Sequence, residues 1–226
     1  RDAAWSEVAR RLAHEIKTPL TPIQLSAERL RRRVLPQLGT ADAEVLDRAT
    51  NTIVAQVDAL KSMVNSFGEY AQAPMLQMAP LDLGALIDDV LELYEGGERL
   101  VLERALDESQ PRPIADRGRL RQVLHNLIKN AIEAGTARAL LTIEVGTRQV
   151  IDAGVHWVVL SVSDDGPGLP AGFDAAWFEP YRSTKQKGTG LGLAIVARIA
   201  QEHGGRLQAR ARDAGGACFE VWLPLA

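Results

Sequence analysis

The sequence predicts a hairpin of two long α-helices followed by an α+β sandwich domain. Through the first seventy-odd of its 226 residues glycine is rare, and apolar residues recur at steps of three and four, the period of an amphipathic helix. Beyond residue 74 glycines become frequent, and short β-branched runs alternate with helical patterns. A chain of this length is long enough to bury two cores. We therefore expect the hairpin over residues 1–73, a linker over 74–80 and the second domain over 81–226.

Each predicted helix of the hairpin carries one apolar stripe, and the segment 36–40, Pro-Gln-Leu-Gly-Thr, supplies the stop and the turn between them. A lone hairpin leaves half of such a seam uncovered, which favours a homodimeric four-helix bundle; the alternative is packing against the rest of the chain. Pro19 and Pro22 predict a kink in the first helix just after His14. The stripes consist of Val8, Leu12, Ile16, Pro19, Ile23, Ala27, Leu30 and Val34, and of Leu46, Ala49, Ile53, Val57, Leu60, Val64 and Phe67.

The second domain shows helical and strand patterns in an irregular order. Helical spacing of apolar residues covers 83–94, 117–134 and about 191–203, the last stopped by a Gly-Gly pair. Strand patterns cover 100–106, 139–147, 156–163, 206–212 and 217–223, with a hairpin turn around 152–154. This order predicts helices packed on one face of a mixed sheet.

Composition excludes several classes of protein. Twenty-six basic and 29 acidic residues give a net charge of −3, which leaves no basic excess for binding the phosphate backbone of nucleic acid. The single cysteine, Cys218, cannot form an internal disulfide, so we expect a reducing compartment such as the cytosol. No apolar run approaches the roughly 20 residues of a membrane helix. The start lacks an initiator Met and a signal pattern, so we expect a piece of a longer protein.

Three short segments carry groups suited to phosphate chemistry. Asp-Asp-Gly-Pro-Gly at 164–168 follows a predicted strand, and Gly-Thr-Gly-Leu-Gly at 188–192 opens a helix whose bare N–H groups can bind an anion. Asn126 and Asn130 lie four residues apart on one helix face, and amide oxygens suit a hard cation such as Mg²⁺. Taken singly, each segment is also explained by a tight turn, a helix start or a solvated face.

The order and spacing of these three segments resemble the ATP-binding fold shared by gyrase, the ninety-kilodalton heat-shock chaperone, histidine kinases and MutL. The resemblance covers roughly residues 80–226. It implies that Asn130, supported by Asn126, coordinates Mg²⁺, and that Asp164 recognises the adenine amino group of ATP. It also implies further nucleotide-binding positions in the two glycine segments, namely Gly166, Gly168, Gly188, Gly190, Leu191 and Gly192, the last four bordering a lid over the phosphates.

The run Phe-Glu-Pro-Tyr-Arg-Ser-Thr-Lys at 178–185 is similar to the Phe-rich box of the same family. Arg182, Lys185 and Lys187 are candidates to offset the charge of the γ-phosphate, because cationic side chains bind phosphate oxygens strongly. The sequence does not decide among the three.

On the first helix, His-Glu-Ile-Lys-Thr-Pro at 14–19 resembles the phospho-acceptor box of sensor histidine kinases, and the wider string 9–30 is most similar to NtrY-type nitrogen-sensor kinases. Neutral imidazole is nucleophilic at pH 7, and His14, two residues from the stripe on either side, is predicted to be exposed. The neighbouring Glu15 can hydrogen-bond the ring or accept its proton. Thr18 stands where NtrY-type members usually carry Asn, and the resemblance implies that it orients a water. His125 is the competing candidate acceptor.

The combined resemblance implies an ATP- and Mg²⁺-dependent protein-histidine kinase. It would phosphorylate His14, pass the group to an aspartate on a response regulator receiver domain, and also dephosphorylate that regulator. The implied setting is the cytoplasmic part of a bacterial sensor anchored in the inner membrane, with no direct contact to nucleic acid. A nucleotide-binding pseudokinase scaffold is the alternative. A gyrase-like ATPase acting on DNA is disfavoured, because it fits neither the net charge nor the His14 box.

Overall fold

The computed structural model describes residues 2–71, 75–97, 99–109, 111–180 and 190–225. Within the two long helices, the side chains of residues 2–11, 13, 14, 62, 66, 67 and 69–71 lie outside that description. The chain divides into two compact units. The first is built on the N-terminal helices, and the second contains the sheet.

The first unit is a helical hairpin. Helix α1 (Asp2–Val34) leads through a short 3-10 turn (Leu35–Gln37) into α2 (Thr40–Ala71). Proline at the start of the turn favours the break, because it cannot continue the hydrogen-bond ladder of α1. An ion pair between Arg31 Nε and Asp47 Oδ1, 2.7 Å apart, joins the two helices near the turn. The predicted hairpin and the position of its turn are therefore confirmed.

Only part of the predicted apolar stripe is covered within the hairpin. Among the described residues of the two helices, the buried positions are Leu20, Ala27, Thr50, Val57, Val64 and Gly68. Most large members of the predicted stripes instead remain 42–48% exposed, namely Leu12, Ile16, Ile23, Leu30, Ile53 and Leu60. The predicted stripe omitted Leu20, which is buried, whereas the exposed positions agree with the expectation that a lone hairpin leaves half of its seam uncovered. A single neighbouring helix covers only the side of a stripe that faces it, so the other side is left open.

The second unit contains a five-stranded mixed sheet. Strand β2 (Leu100–Ala105) runs parallel to β4 (Leu141–Asp152), which is antiparallel to β5 (Val155–Asp164). Strands β6 (Arg206–Ala211) and β7 (Ala217–Pro224) complete the sheet as an antiparallel pair, with β7 beside β5. The parallel step between β2 and β4 requires a crossover connection, which a helix provides. The predicted mixed sheet is confirmed.

In the described part of this unit there are three α-helices: α3 (Leu83–Leu91), α4 (Arg117–Ala134) and α5 (Gly192–Glu202). Asp82 caps α3 and Asp116 caps α4, each accepting a hydrogen bond of 3.0 Å from a backbone N–H in the first turn. Every apolar position predicted for α4 is buried. Burial of each of the larger side chains contributes roughly 1.5–3 kcal/mol to the stability of the fold. These positions are Leu120, Val123, Leu124, Leu127, Ile128 and Ala131.

The end of the predicted linker takes part in the second unit. Strand β1 (Ala79–Pro80) pairs antiparallel with β3 (Ile114–Ala115), and Leu81 N donates to Pro113 O at 2.9 Å. Two residues that include a proline carry almost no strand signal in sequence. The pairing depends on a segment more than thirty positions away, so periodicity alone could not reveal it.

Strands β4 and β5 are longer than predicted and meet at a tight turn. Ala153 and Gly154 both adopt positive φ, at 49° and 78°, which matches the right-handed twist of a two-residue hairpin. The predicted turn is confirmed, and the strands continue up to it because this conformation keeps their ladder in register. Among the described residues, no helix has the length and apolar character that crossing a membrane requires.

Candidate functional site

Asp164 stands at the end of β5, where the strand gives way to a glycine-rich turn. Its side chain is 4% exposed, and Oδ1 accepts a hydrogen bond of 2.8 Å from Gly166 N. Burial raises the pKa of Asp164 above its usual value, although backbone hydrogen bonds from Gly166 and Ala217 and the charge of Arg212 act in the opposite direction. A buried carboxyl at a strand end can accept hydrogen bonds from a flat ligand placed against the turn.

The turn after Asp164 contains two positions, Gly166 and Gly168, that favour glycine. A Cβ added at Gly166 would lie 2.8 Å from Asp164 Oδ1, and Gly168 adopts a φ of +85°. Asp165 ties the start of the turn to β4, because its Oδ1 accepts from Thr142 N at 3.0 Å and its N–H donates to Thr142 O at 3.2 Å. The turn is therefore pinned on the β4 side and open to backbone approach on the other.

Helix α4 carries the two predicted asparagines. Asn126 and Asn130 are both partly buried and lie one turn apart. Among the described residues, Asn126 Nδ2 is a buried amide nitrogen without a hydrogen-bond partner. Leaving such a donor unpaired costs roughly 1–3 kcal/mol. A ligand with acceptor oxygens, such as a phosphate, would remove this cost, and the amide oxygens of the pair match the ligand preference of Mg²⁺.

His125 is partly buried and packs against Tyr94. Its Nδ1 lies 3.0 Å from the hydroxyl oxygen of Tyr94, and the two ring centroids are 5.7 Å apart. Burial, followed by the positive charge of Arg121, lowers the pKa of His125. These contacts are those of a packing residue between α4 and the turn after α3, whereas the sequence analysis offered His125 as the competing candidate acceptor.

The second glycine segment is described only at its end. Gly190 adopts a φ of +65°, Leu191 is buried, and Gly192 begins α5. Among the described residues, nothing lies within 4 Å of a Cβ placed on Gly192. The other predicted members of this region, Arg182, Lys185, Lys187 and Gly188, lie outside the described residues, and their roles stay predictions.

The start of the predicted Phe-rich box is anchored by aromatic packing that the sequence analysis did not identify. Phe173 stacks on Trp177 with ring centroids 5.6 Å apart, and it meets Phe178 and Phe219 edge to face. Phe219 belongs to β7, so the cluster fastens this segment to the sheet. The available signal was the grouping of three aromatic residues within six positions of a chain that is only 5% aromatic.

The polar link between α4 and α5 also went unnoticed. His203, just past α5, is buried; its Nε2 accepts from Asp116 N at 3.0 Å and its Nδ1 lies 2.8 Å from Ile199 O. Arg119 and Glu202 add an ion pair of 3.4 Å between the two helices. These contacts hold the N-terminus of α4 to the C-terminus of α5. The Asn pair on α4 and Gly192 at the start of α5 are therefore carried on two helices of the second unit that are joined to each other.

The predicted acceptor box lies on α1. Glu15 and Thr18 are exposed, and Pro19 and Pro22 lie inside the helix. Position 14 is part of the α1 backbone, but the His14 side chain falls outside the description, so its predicted exposure stays a prediction. The kink expected from the prolines likewise remains untested.

Two protein-family models match the chain. One, described as the His Kinase A (phospho-acceptor) domain, matches residues 4–74, and the other, described as histidine kinase-, DNA gyrase B-, and HSP90-like ATPase, matches residues 115–226. Among curated relatives, nitrogen regulation protein NtrY of Azorhizobium caulinodans is 40% identical over 214 residues, covering 92% of this chain and 27% of that protein. Sensor histidine kinase ZraS of Escherichia coli K12 is 33% identical, covering 98% of this chain and 46% of its own length. The chain thus spans less than half of these relatives.

Solved structures give the same correspondence. Full-length ShkA in complex with AMPPNP superposes with a TM-score of 0.69 at 31% identity, covering 97% of this chain and 46% of that one. The catalytic domain of histidine kinase ThkA matches with a TM-score of 0.57 at 33% identity, covering 66% of this chain and 99% of the domain. ThkA in complex with response regulator protein TrrA matches with a TM-score of 0.66 at 30% identity, covering 97% of this chain and 61% of that one.

Proposed function

This chain belongs to the sensor histidine kinase family, as an NtrY-like catalytic region, and from that membership we propose that it phosphorylates itself on His14 with ATP. The observation that carries the proposal is the presence on one chain of both halves of the reaction. A His-Glu-x-x-Thr-Pro box lies on the long helix α1, and a buried Asp164 turn and the Asn126 pair lie in an ATP-binding domain. We further propose functional boundaries of 1–73 for the acceptor hairpin and 81–226 for the ATP-binding domain.

The nucleotide is held by groups of different chemistry. The Asp164 carboxylate accepts a hydrogen bond from the adenine amino group, and the unpaired Asn126 amide donates to a phosphate oxygen. Asn130 would hold Mg²⁺ through its amide oxygen, and a bound Mg²⁺ neutralises phosphate charge during transfer. One of Arg182, Lys185 and Lys187 supplies positive charge to the γ-phosphate.

The transfer step needs a neutral imidazole. A ring nitrogen of His14 attacks the γ-phosphorus, the bond from phosphorus to the bridging oxygen breaks, and ADP leaves with the electron pair. The ring becomes positively charged, and Glu15 hydrogen-bonds the second ring N–H or takes its proton. The phosphoryl group then passes from His14 to a carboxylate oxygen of a receiver-domain aspartate. In a second reaction, Thr18 orients a water that hydrolyses the phosphoryl group from that aspartate.

The assembly we propose is a homodimer that acts on a response regulator. The half-exposed seam of the hairpin supports dimerisation through a four-helix bundle. The similarity to ThkA, which was solved with a response regulator protein, supports a receiver-domain partner. Since the chain spans less than half of its NtrY and ZraS relatives, we propose that it is the cytoplasmic portion of a membrane-anchored sensor.

The test is incorporation of label from γ-labelled ATP in the presence of Mg²⁺. We expect protein-bound phosphate that acid removes and alkali does not, because a phosphorus–nitrogen bond has this lability. His14→Gln should abolish the label, whereas the matched variant His125→Gln should keep it. Asn130→Ala should abolish labelling and leave the dimer intact by sedimentation.

The contrary outcomes are distinct. Label retained in His14→Gln would overturn His14 as the acceptor, and loss of label in a folded His125→Gln alone would transfer that role to His125. A wild-type chain that binds ATP without labelling would favour the pseudokinase scaffold.

A further inference from the structure

Arg212 follows the last residue of β6 and reaches the site from the side opposite to Asp165. We propose that Arg212 is a positioning residue of the nucleotide site, holding the Asp164 turn in the arrangement that recognises the amino group of a purine. This role rests on the proposed ATP-binding function of Asp164, and it assigns to a residue 48 positions away the control of that contact.

The first support is the hydrogen bond itself. The ladder between β5 and β7 ends at the pair Ser163 and Cys218, so the carbonyl of Asp164 lies beyond the last paired residue of that edge. Arg212 Nη1 donates to this carbonyl oxygen at 3.1 Å. The guanidinium therefore continues the ladder by one bond at the position where β5 turns into the glycine segment.

The second support is that Arg212 is itself held in place. Its backbone N–H donates to Gly216 O at 3.1 Å, and its carbonyl accepts from Gly215 N at 3.0 Å. The hairpin turn between β6 and β7 is thus closed by the backbone of the residue whose side chain reaches Asp164. A side chain that starts from a closed turn loses less conformational entropy when it forms its hydrogen bond.

The third support is the close approach of the two turns. Gly216 adopts a φ of +92°, and a Cβ there would lie 1.9 Å from the carbonyl oxygen of Asp164. A Cβ on Gly168 would lie 3.3 Å from Gly216 O. The turn at 212–216 therefore packs backbone against backbone on the turn at 164–168, and the Arg212 hydrogen bond joins them.

Charge adds a fourth support. Among the described charged groups that act on the Asp164 carboxyl, Arg212 lowers its pKa and Asp165 raises it, and burial, the largest influence, also raises it. Loss of the Arg212 charge would leave Asp164 with burial and a neighbouring carboxyl, offset only by backbone hydrogen bonds from Gly166 and Ala217. The carboxyl would then take up a proton at higher pH, and a neutral carboxyl is a weaker acceptor for the adenine amino group than a carboxylate and carries an O–H donor of its own.

The test compares ATP with purine riboside triphosphate, which lacks the amino group, as competitors of a fluorescent ATP analogue on the full chain with Mg²⁺. We expect Arg212→Gln to weaken ATP about tenfold and to leave the amino-free nucleotide nearly unchanged, so the selectivity ratio falls. In a pH series, the fall of ATP affinity on acidification should move to higher pH. Arg104→Gln is the matched control, since Arg104 forms an exposed ion pair with Asp88 in the same unit.

Arg212→Lys separates charge from geometry. We expect it to keep the wild-type pH dependence, because the charge remains, and to bind ATP about threefold more weakly, because an ammonium cannot reproduce the guanidinium hydrogen bond. If Arg212→Gln does not fold, a Lys variant identical to wild type in affinity and selectivity overturns the positioning role.

An Arg212→Gln variant with unchanged selectivity and unchanged pH dependence, in a chain that binds ATP, overturns this inference alone. A wild-type chain that binds no ATP overturns the proposed function and this inference together.

Discussion

Two carboxyl groups in the second unit are buried to the same degree, but their surroundings move the pKa values in opposite directions. Asp164 and Glu220 are each 4% exposed. Burial raises the pKa of both groups. For Glu220, hydrogen bonds from Arg210 and Arg148, each 3.1 Å long, outweigh burial and hold the pKa below its usual value. Asp164 receives mainly backbone donors, so its pKa stays raised. The Glu220 carboxyl is satisfied by two arginines of the protein, whereas the Asp164 carboxyl retains capacity for a ligand.

Arg210→Gln should destabilise the second unit by about 1–2 kcal/mol at pH 7. This destabilisation is smaller than the usual cost of removing the partner of a buried charge, because Arg210 is largely exposed and Arg148 still pairs with Glu220 in the variant. Because the folded pKa of Glu220 is lowered, its stabilising contribution is present above the unfolded value of 4.5 and is lost as pH falls through the folded pKa. The difference between wild type and variant should therefore shrink below about pH 4. Urea unfolding across this pH range measures it.

Arg104→Gln is again the control, because both members of its ion pair are more than half exposed. We expect a change within about 0.5 kcal/mol for this variant. A penalty for Arg210→Gln that stays constant down to pH 3 would contradict the account of Glu220.

At the scale of the element, large apolar side chains are exposed on two different sides of α1. Ile23 and Leu25 are both large, apolar and about half exposed, at 47% and 54%. They lie about 200° apart around the helix, because successive residues turn by about 100°. Ile23 continues the stripe of Ile16 and Leu30, whereas Leu25 stands on the opposite side among Glu28 and the arginines that follow. Exposure alone therefore does not distinguish the proposed dimer seam from the charged side of α1, whereas the helical phase does.

Ile23→Glu should weaken the proposed dimer by at least about tenfold, because burial of each isoleucine contributes roughly 1.5–3 kcal/mol and two copies are lost. Leu25→Glu, two residues along the same helix, should leave the dimer unchanged. Sedimentation equilibrium at several protein concentrations distinguishes the two variants. Equal weakening by both would mean that the hairpin associates through a different face.

Helix α4 combines structure and site on one element. Its inward face buries a continuous apolar surface, and a neighbouring side presents Asn126 and Asn130. Asp116 fixes the start of this helix in two ways, because its side chain caps α4 and its N–H donates to the buried His203 beyond α5. The orientation of the asparagine pair therefore depends on the same contacts that fasten α4 to its neighbour.

At the scale of the whole molecule, the chain consists of two compact units with different needs for stability. The hairpin leaves much of its apolar seam exposed, so its stability should depend on protein concentration. The second unit buries its own core and, through Asp164 and Asn126, should gain stability from nucleotide. Protein concentration and nucleotide should therefore change the stability of the two units separately.

Calorimetry of the whole chain should resolve these two dependences. ATP analogue with Mg²⁺ at about 100 times its Kd should stabilise the second unit by about 2.7 kcal/mol and raise the midpoint of that transition. Raising the protein concentration should shift the hairpin transition instead. Asp164→Asn is the control, and we expect it to lose the nucleotide shift while keeping the concentration dependence. A single transition that responds to both variables would show that the units unfold as one.

The sequence was most informative where local pattern decides structure. The limits of α4 were predicted as 117–134 and are found there, because apolar spacing, an Asp cap and a closing glycine all agree. Asn126, Asn130 and Asp164 were likewise assigned to the elements that carry them. The roles proposed for them come from the family resemblance carried by the order of three motifs, since each motif alone had an ordinary structural explanation.

The sequence was least informative about contacts between distant segments. The pairing of Ala79–Pro80 with Ile114–Ala115, and the stacking of Arg206 between Trp157 and Trp222, have no local signature. The same is true of the hydrogen bond from Arg212 to Asp164. Each depends on the register and order of strands in the assembled sheet, which side-chain periodicity does not specify.

By itself, the sequence determined that this protein is a helical hairpin joined to an α+β nucleotide domain, and it identified the kinase family through short motifs and their order along the chain. Only the tertiary structure decided which half of the hairpin seam is covered and which buried carboxyl keeps its capacity for a ligand. The structure also decided which arginine reaches Asp164. Helix and strand formation follow from residues close in sequence, whereas burial, charge pairing and pKa depend on groups that only the folded sheet brings together.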